Sequence, residues 1–133
     1  DYILAQLDAN PSARVYIFGY SAGGHAAINL AWGLDKLGIP VQALITFDPH
    51  HPAGLFGSSE FNLPSNVGFA INFFQQNNAF PFTQNPFKGG ILNCTGCATN
   101  PNVNLSGSSV THLNIVRNST GRFSDEINSA FGR

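Results

Sequence analysis

The chain has 133 residues, enough for one domain with a buried core. Six Lys and Arg against seven Asp and Glu give a net charge of −1, and only 10% of the residues are charged. This balance excludes the basic surface of a nucleic-acid-binding domain, and no apolar run approaches the roughly 18 residues of a membrane span. We therefore expect no nucleic-acid partner and no integral membrane segment.

The chain opens within a helical pattern. It begins at Asp1 rather than at Met, Ile3 and Leu7 lie at helical spacing, and Asn10-Pro11 ends the segment. We interpret this as a short helix at the beginning of a cut or processed chain. With no internal repeat and no second domain, residues 1–133 are predicted to form one N-terminally truncated domain.

A strand, a helix and a second strand follow with short connections. Residues 15–18 form an apolar strand, and residues 22–36 form a helix that stops at Gly38 before Pro40. The second strand, residues 41–47, is almost continuously apolar, as in a parallel strand that is covered on both faces. The order predicts a right-handed βαβ unit, and hence an α/β fold with a mostly parallel sheet flanked by helices.

The rest of the chain is less regular. Residues 49–64 predict a long loop rich in Gly, Pro and Ser. Ser65 is a predicted N-cap for a helix that extends to about residue 77, and residues 78–89 are a second irregular stretch. The remaining predicted elements are short strands near residues 90–92 and 110–116, and a last helix over 125–131 capped by Ser124.

Gly19-Tyr20-Ser21-Ala22-Gly23 lies between the first strand and the helix. A strand that enters G-x-S-x-G and then a helix is typical of the nucleophile elbow of α/β-hydrolases. Ser21 would occupy a strained turn, and Gly19 and Gly23 would let neighbouring backbone pack closely against it. The alternative is a glycine-rich turn between a strand and a helix that carries no chemistry.

A serine nucleophile needs a base, and the base needs an acid to orient it. Asp48 directly follows strand 41–47, at the carboxyl edge of the predicted sheet. Adjacent strands lie about 4.8 Å apart, so this carboxylate is within a histidine's width of Ser21. The alternatives are that Asp48 only caps a turn before Pro49, and that Glu60 is the acid.

Four histidines compete for the role of base. His25 follows the serine on the helix and is predicted to be structural, while His50 and His51 adjoin Asp48 too closely for an easy hydrogen bond back to it. His112 alone both satisfies the order of serine, acid and histidine found in α/β-hydrolases and leaves enough chain after the acid to loop back. It is therefore the predicted base, with an ordinary structural histidine as the alternative.

Two segments carry a more specific resemblance. Residues 19–27, GYSAGGHAA, followed by residues 45–49, ITFDP, resemble the pancreatic-lipase branch of the α/β-hydrolases. In that branch the acid also follows the strand directly after the nucleophile. The match covers about the first two-fifths of the chain, and the region of His112 resembles the branch by its order and by a closing helix.

The resemblance implies hydrolysis of a carboxylic ester through an acyl-enzyme, without a cofactor. Ser21 would be the nucleophile, His112 the general base and then acid, and Asp48 its orienting partner. The N–H of Ala22 would be one oxyanion donor. We expect a small-molecule or lipid ester as substrate, and the same triad would also serve an acyltransferase or a thioesterase.

One part of the family pattern is missing. The second oxyanion donor of the family comes from a loop well before the elbow, and losing such a donor costs about 10²–10³ in kcat. We therefore expect weak activity. The strands that flank one side of the elbow strand in the family are absent too, which would leave the elbow strand as an exposed edge. This predicts a homo-oligomer or a non-enzymatic fragment that associates through this edge.

Aromatic side chains are candidates for substrate contacts. Tyr20 lies inside the elbow, and Phe80 and Phe82 lie in the second irregular stretch. We predict that these three residues contact the substrate. For the phenylalanines, the alternative is ordinary core packing.

Cys94 and Cys97 are the only two cysteines. A loop disulfide is the favoured interpretation, with two free thiols or half of a metal site as alternatives. A zinc site needs about four ligands, and the chain has no second cysteine pair, so we predict no metal. Three N-x-S/T patterns, at Asn93, Asn104 and Asn118, agree with a secreted or extracellular protein.

Overall fold

The computed structural model describes residues 2–50, 60–77, 89–98, 102–106 and 109–131. The elements in chain order are α1 (Tyr2–Ala9), β1 (Val15–Tyr20), α2 (Ala22–Asp35), β2 (Val41–Phe47), β3 (Glu60–Asn62), β4 (Ala70–Phe74), β5 (Ile91–Asn93), β6 (Asn102–Asn104) and α3 (Ile115–Phe131). Four strands form a parallel sheet in the order β1-β2-β4-β6, and β3 pairs with β5 in a second parallel sheet. The protein is therefore α/β with a mostly parallel sheet flanked by helices, as predicted. Within these residues no helix is long and apolar enough to cross a bilayer.

Helices cover both faces of the central strand β2. Leu44 packs in an apolar cluster with Ala31 and Leu34 of α2, whereas the next residue, Ile45, packs in a second cluster with Ile115 of α3. Successive side chains of a strand point to opposite faces, so a strand between two helices must be apolar at nearly every position. This explains the continuous apolar run that predicted β2.

A buried amide ties the sheet together near its carboxyl edge. Asn72 on β4 is fully buried, and its Oδ1 accepts a hydrogen bond from Thr46 Oγ1 of β2 at 2.9 Å. Its Nδ2 donates to Gly90 O at 2.7 Å and to Asn102 Oδ1 of β6 at 2.9 Å. Because a buried amide without partners costs about 1–3 kcal/mol, this network favours one register of β2, β4 and β6.

The predicted helix over residues 65–77 is wrong. Residues 65–66 form a turn, and strand β4 then runs parallel to β2, with Ile71 opposite Ile45. All five residues of β4 are buried, from Ala70 in one apolar cluster to Phe73 in the other. A short apolar run fits a buried strand and a buried helix equally well, so only the pairing with β2 decides between them.

The predicted strand over residues 110–116 is also wrong, and the last helix begins ten residues earlier than residue 125. Asn114 ends a turn in which its Oδ1 accepts from Thr111 N at 2.7 Å, and α3 then starts at Ile115. The Asn-Ser-Thr-Gly run inside α3 consists of residues with low helix propensity, so local propensity does not predict this part of the helix. The buried hydroxyl of Ser119 donates to Val116 O at 3.0 Å, which satisfies it within the helix.

The other connecting segments agree in part with prediction. The strand near residues 90–92 is confirmed as β5, and β3 is an additional short strand within the predicted loop 49–64. Cys94 and Cys97 form a disulfide with their Cα atoms 5.6 Å apart, which confirms the favoured interpretation of this pair. In the described part of the chain, no three His, Cys, Asp or Glu side chains form a cluster that could hold a metal ion.

The expected close packing of the elbow glycines holds at Gly19 and fails at Gly23. A Cβ at Gly19 would lie 2.5 Å from Gly23 O and 2.8 Å from the Cβ of Ala27. A Cβ at Gly23 would meet nothing within 4 Å. The second close approach is instead at Gly24, where a Cβ would lie 2.9 Å from the Cβ of Pro49.

These contacts predict opposite effects for two alanine substitutions only four residues apart. Gly19→Ala should lower the free energy of unfolding by about 1–3 kcal/mol, since the added methyl overlaps backbone that cannot move aside. Gly23→Ala should be neutral or should stabilise by up to about 1 kcal/mol, because alanine favours the helix. Urea denaturation of both variants tests this, and equal midpoints would contradict it.

Candidate active site

The register of the parallel strands brings two polar residues to one edge of the sheet. Tyr20 lies opposite Phe47, and Phe47 lies opposite Phe73, so the strands β1, β2 and β4 end nearly level. The residues that follow, Ser21 after β1 and Asp48 after β2, are therefore neighbours at the carboxyl edge. This is the edge at which open α/β sheets bind ligands.

Both residues adopt backbone conformations that are unusual for residues with a side chain. Ser21 has φ 58° and ψ −129°, and Asp48 has φ 49°. Ser21 N donates to Phe47 O at 3.0 Å, and Asp48 N donates to Phe73 O at 2.7 Å, so each turn is tied to the next strand. Strain of this kind costs of order 1–3 kcal/mol per residue and occurs preferentially at functional sites.

Ser21, His112 and Asp48 form one hydrogen-bonded chain. His112 Nε2 lies 2.9 Å from Ser21 Oγ, and His112 Nδ1 lies 2.8 Å from Asp48 Oδ2. A carboxylate can only accept, so Nδ1 carries the hydrogen and Nε2 of the neutral imidazole is left to accept the proton of the serine hydroxyl. The three side chains thus have the geometry of a nucleophile, a base and an orienting acid.

The carboxylate of Asp48 is fully buried and receives further donors from Gln75. Gln75 N donates to Asp48 Oδ1 at 3.0 Å, and Gln75 Nε2 donates to Asp48 Oδ2 at 2.7 Å. A Cβ at position 89 would overlap this carboxylate, so Gly89 leaves the room that it occupies. Sequence reasoning missed Gln75, and the only local signal was its place just after a buried apolar run.

Tyr20 contacts the histidine from the other side. Its hydroxyl donates to His112 O at 2.7 Å, and its ring stacks on the imidazole with 5.1 Å between centroids. Burial and then the negative charge of Asp48 raise the pKa of Tyr20 above its ordinary value of 10.0. Tyr20 remains 39% exposed, and its predicted contact with the substrate stays a prediction beside this contact with His112.

His50 is a second histidine that contacts the serine hydroxyl. Its Nδ1 lies 3.3 Å from Ser21 Oγ, and its ring is perpendicular to that of His112 with 5.6 Å between centroids. The sequence predicts no role for His50 as the base, because His50 adjoins Asp48 too closely for an easy hydrogen bond back to it. The turn after β2 instead directs His50 to Ser21, the predicted nucleophile.

The other residues considered for the site lie outside the hydrogen-bonded chain of Ser21, His112 and Asp48. Ala22 is the first residue of α2, where backbone N–H groups have no partner within the helix. His25 lies along α2 with its Nδ1 3.4 Å from Asn29 Nδ2, and Glu60 begins β3 with an exposed side chain. Residues outside the described part of the chain include the predicted substrate contacts Phe80 and Phe82, and the excluded base His51.

Comparison with known proteins does not assign the chain to a family. No family model, no curated protein and no solved structure matches the chain. The chemistry of the site therefore rests on its own atoms: a hydroxyl that faces an imidazole, an imidazole that faces a buried carboxylate, and a helix N-terminus beside the hydroxyl. Such a site can take the proton of the serine and stabilise the negative charge that follows.

The contact between Tyr20 and His112 predicts a pH-dependent loss of stability in Tyr20→Phe. At neutral pH the free energy of unfolding of the variant should be about 1 kcal/mol lower than that of the wild type, because the hydrogen bond to His112 O is lost. The pKa of Tyr20 is higher in the folded state than in the unfolded state. Its hydroxyl therefore contributes its full share of the folding free energy below the unfolded-state pKa, and this share is lost as the pH rises through the folded-state pKa. The difference should therefore shrink at strongly alkaline pH.

Urea denaturation at neutral and at strongly alkaline pH measures this difference. Tyr2→Phe is the matched control, since Tyr2 is 77% exposed on α1 and should show little change at either pH. A Tyr20→Phe variant as stable as the wild type at neutral pH would contradict the role of the hydroxyl.

Proposed function

We propose that the protein is a serine hydrolase that cleaves carboxylic esters through an acyl-enzyme. The observation that supports this most directly is the chain of hydrogen bonds from Ser21 Oγ to His112 Nε2 at 2.9 Å, and from His112 Nδ1 to Asp48 Oδ2 at 2.8 Å. Asp48 lies 27 positions after Ser21 and His112 lies 64 positions after Asp48, and the three meet here with the donor and acceptor order that acyl transfer requires.

In the proposed reaction, Ser21 Oγ attacks the ester carbonyl while His112 Nε2 takes its proton. Asp48 stabilises the resulting imidazolium, and the N–H of Ala22 at the N-terminus of α2 faces the negative charge that develops on the carbonyl oxygen. His112 then gives the proton to the departing alcohol, which leaves the acyl group on Ser21. Water, activated by His112, releases the acid in the second half of the reaction.

Further features support a lipase-like assignment within this proposal. The parallel order β1-β2-β4, with a nucleophile after β1 and an acid after β2, agrees with the part of an α/β-hydrolase fold that the sequence resembles. An uncharged, apolar ester is the proposed substrate, with Tyr20, Phe80 and Phe82 as its proposed contacts. The disulfide between Cys94 and Cys97 supports a secreted or extracellular protein, because disulfides persist in oxidising compartments.

Acyl transfer and thioester cleavage are variants of the same proposal. Both proceed through the same acyl-enzyme on Ser21 and differ only in the leaving group or in the acceptor that replaces water. Product analysis with an alcohol or a thioester present distinguishes them. Nothing in the triad itself favours one of them over ester hydrolysis.

The proposal predicts covalent labelling of the serine. A fluorophosphonate probe should label Ser21 stoichiometrically, and the chain should hydrolyse p-nitrophenyl butyrate, more slowly than intact lipases do. Ser21→Ala should abolish labelling and lower kcat by about 10⁴-fold or to background, since the nucleophile is removed.

Ser124→Ala is the control, because Ser124 is an exposed serine on α3 and should leave both readouts unchanged. Peptide mapping of the labelled protein identifies the modified residue. Wild-type protein that takes up no probe, or label on a residue other than Ser21, would contradict the proposal.

A second candidate function is association through the edge of the sheet. In the described part of the chain, β1 is an end strand, and its residues Tyr16, Phe18 and Tyr20, which share one face of the sheet, are 44%, 57% and 39% exposed. An edge strand offers unpaired backbone groups to another strand. This observation favours a homo-oligomer in which the β1 edges of two copies pair.

The association is tested by light scattering across a range of concentrations. We expect a concentration-dependent dimer that Phe18→Lys weakens by at least about tenfold in Kd, because charged side chains oppose pairing at sheet edges. Leu37→Lys, at a residue that is 61% exposed and lies beyond α2, is the matched control and should leave the dimer unchanged. A monomer at every concentration would contradict this candidate.

A further inference from the structure

Two imidazoles, rather than one, contact the proposed nucleophile. Ser21 Oγ lies 2.9 Å from Nε2 of His112 and 3.3 Å from Nδ1 of His50. The two rings are perpendicular, so they approach the oxygen from different directions. His112 has the carboxylate of Asp48 behind it, and this difference separates the roles of the two histidines.

Counting hydrogens assigns the direction of each contact. Ser21 has one hydroxyl hydrogen, and His112 Nε2 accepts it, because His112 Nδ1 is committed as a donor to Asp48. The contact between Ser21 Oγ and His50 Nδ1 then needs a hydrogen from the histidine. His50 is therefore the Nδ1–H tautomer or the imidazolium, and it donates to a lone pair of the serine oxygen.

The backbone holds His50 at the elbow. His50 N donates to Ser21 O at 3.4 Å, and Gly90 N donates to the carbonyl of the preceding Pro49 at 3.1 Å. Pro49 also packs against Gly24 of α2, where there is no room for a side chain. The position of His50 is thus set by the same turn that places Asp48, and the donor is organised before any substrate binds.

We propose that His50 is a second catalytic histidine, which donates a hydrogen bond from Nδ1–H to Ser21 Oγ and stabilises the negative charge on that oxygen. The inference rests on the proposed function, because it concerns the reactivity of Ser21. During acylation, Oγ gains negative charge as His112 removes its proton, and formation of the bond to the carbonyl carbon then passes this charge to the carbonyl oxygen. During deacylation, Oγ departs from that carbon with the bonding electron pair and recovers a proton from His112.

His50 keeps its own proton throughout both steps. It acts only through its hydrogen bond, which strengthens when its acceptor becomes charged. Since the bond is stronger to the charged oxygen than to the neutral hydroxyl, it accelerates the reaction rather than merely holding the resting enzyme. The expected contribution is about 10- to 100-fold in the rate of attack, which is less than the roughly 10²–10³-fold of an oxyanion-hole donor because the contact is long at 3.3 Å.

Replacing His50 by leucine and by asparagine separates the hydrogen bond from the space that the ring fills. His50→Leu removes the donor, whereas His50→Asn places an amide nitrogen close to the position of Nδ1. The readout is the second-order rate constant for labelling of Ser21 by a fluorophosphonate, in which the serine oxygen displaces fluoride from phosphorus. We expect a loss of about 10- to 100-fold for His50→Leu and recovery of a large part of it in His50→Asn.

Two further variants complete the experiment. His25→Leu is the control for loss of a histidine near the elbow and should label at the wild-type rate. His112→Gln should lose labelling nearly completely, since it removes the base. If His112→Gln still labels while the His50 variants do not, His50 is the base and the proposal is overturned.

The failures of the two proposals are distinguishable. A wild-type chain that labels at Ser21, together with His50→Leu labelling equally fast, overturns the role of His50 and leaves the serine hydrolase intact. A wild-type chain that does not label contradicts both. Circular dichroism of each variant checks that the fold is retained, and His50→Asn labelling as slowly as a correctly folded His50→Leu would also overturn the donor role.

Discussion

The buried carboxylate of Asp48 is the constraint on which the rest of the site depends. Burying a charged carboxylate away from water costs several kcal/mol unless hydrogen-bond donors surround it. Gln75 and His112 supply these donors to Asp48. Gln75 follows β4 and His112 precedes α3, so one charge draws the ends of two strands and the start of a helix to the same point. Gly89 leaves the space that this requires.

The strained turns at Ser21 and Asp48 have a similar dependence on their surroundings. Each turn is held by a backbone hydrogen bond to the neighbouring strand, and the two apolar clusters on either face of β2 keep these strands in register. Packing energy from the core is thereby used to hold two residues in conformations that they would not adopt alone. The same turns direct a hydroxyl, a carboxylate and the ring of His50 toward a single point, which is the basis of the proposed chemistry.

The first half of the fold and most of the candidate site residues could be predicted from the sequence, because they depend on local patterns of apolar and polar residues. The first strand, α2 and β2 are encoded by local periodicity, and the positions of Ser21 and Asp48 at the ends of parallel strands follow from that pattern alone. His112 is the predicted base because it follows the serine and the acid in the order of α/β-hydrolases and leaves enough chain to loop back, whereas His50 and His51 adjoin the acid. The disulfide could be favoured because Cys94 and Cys97 have no other cysteine to pair with.

Only the tertiary structure decided the elements and contacts that depend on distant residues. The run Ala70–Phe74 is a strand because β2 is beside it, and α3 begins at Ile115 because that face packs on the sheet. Gln75 and His50 enter the site through turns whose direction no local pattern encodes. The sequence by itself therefore determined which residues could react, and the packing of the sheet determined which of them meet, because hydrogen-bond geometry across 27 to 91 residues exists only after the strands have aligned.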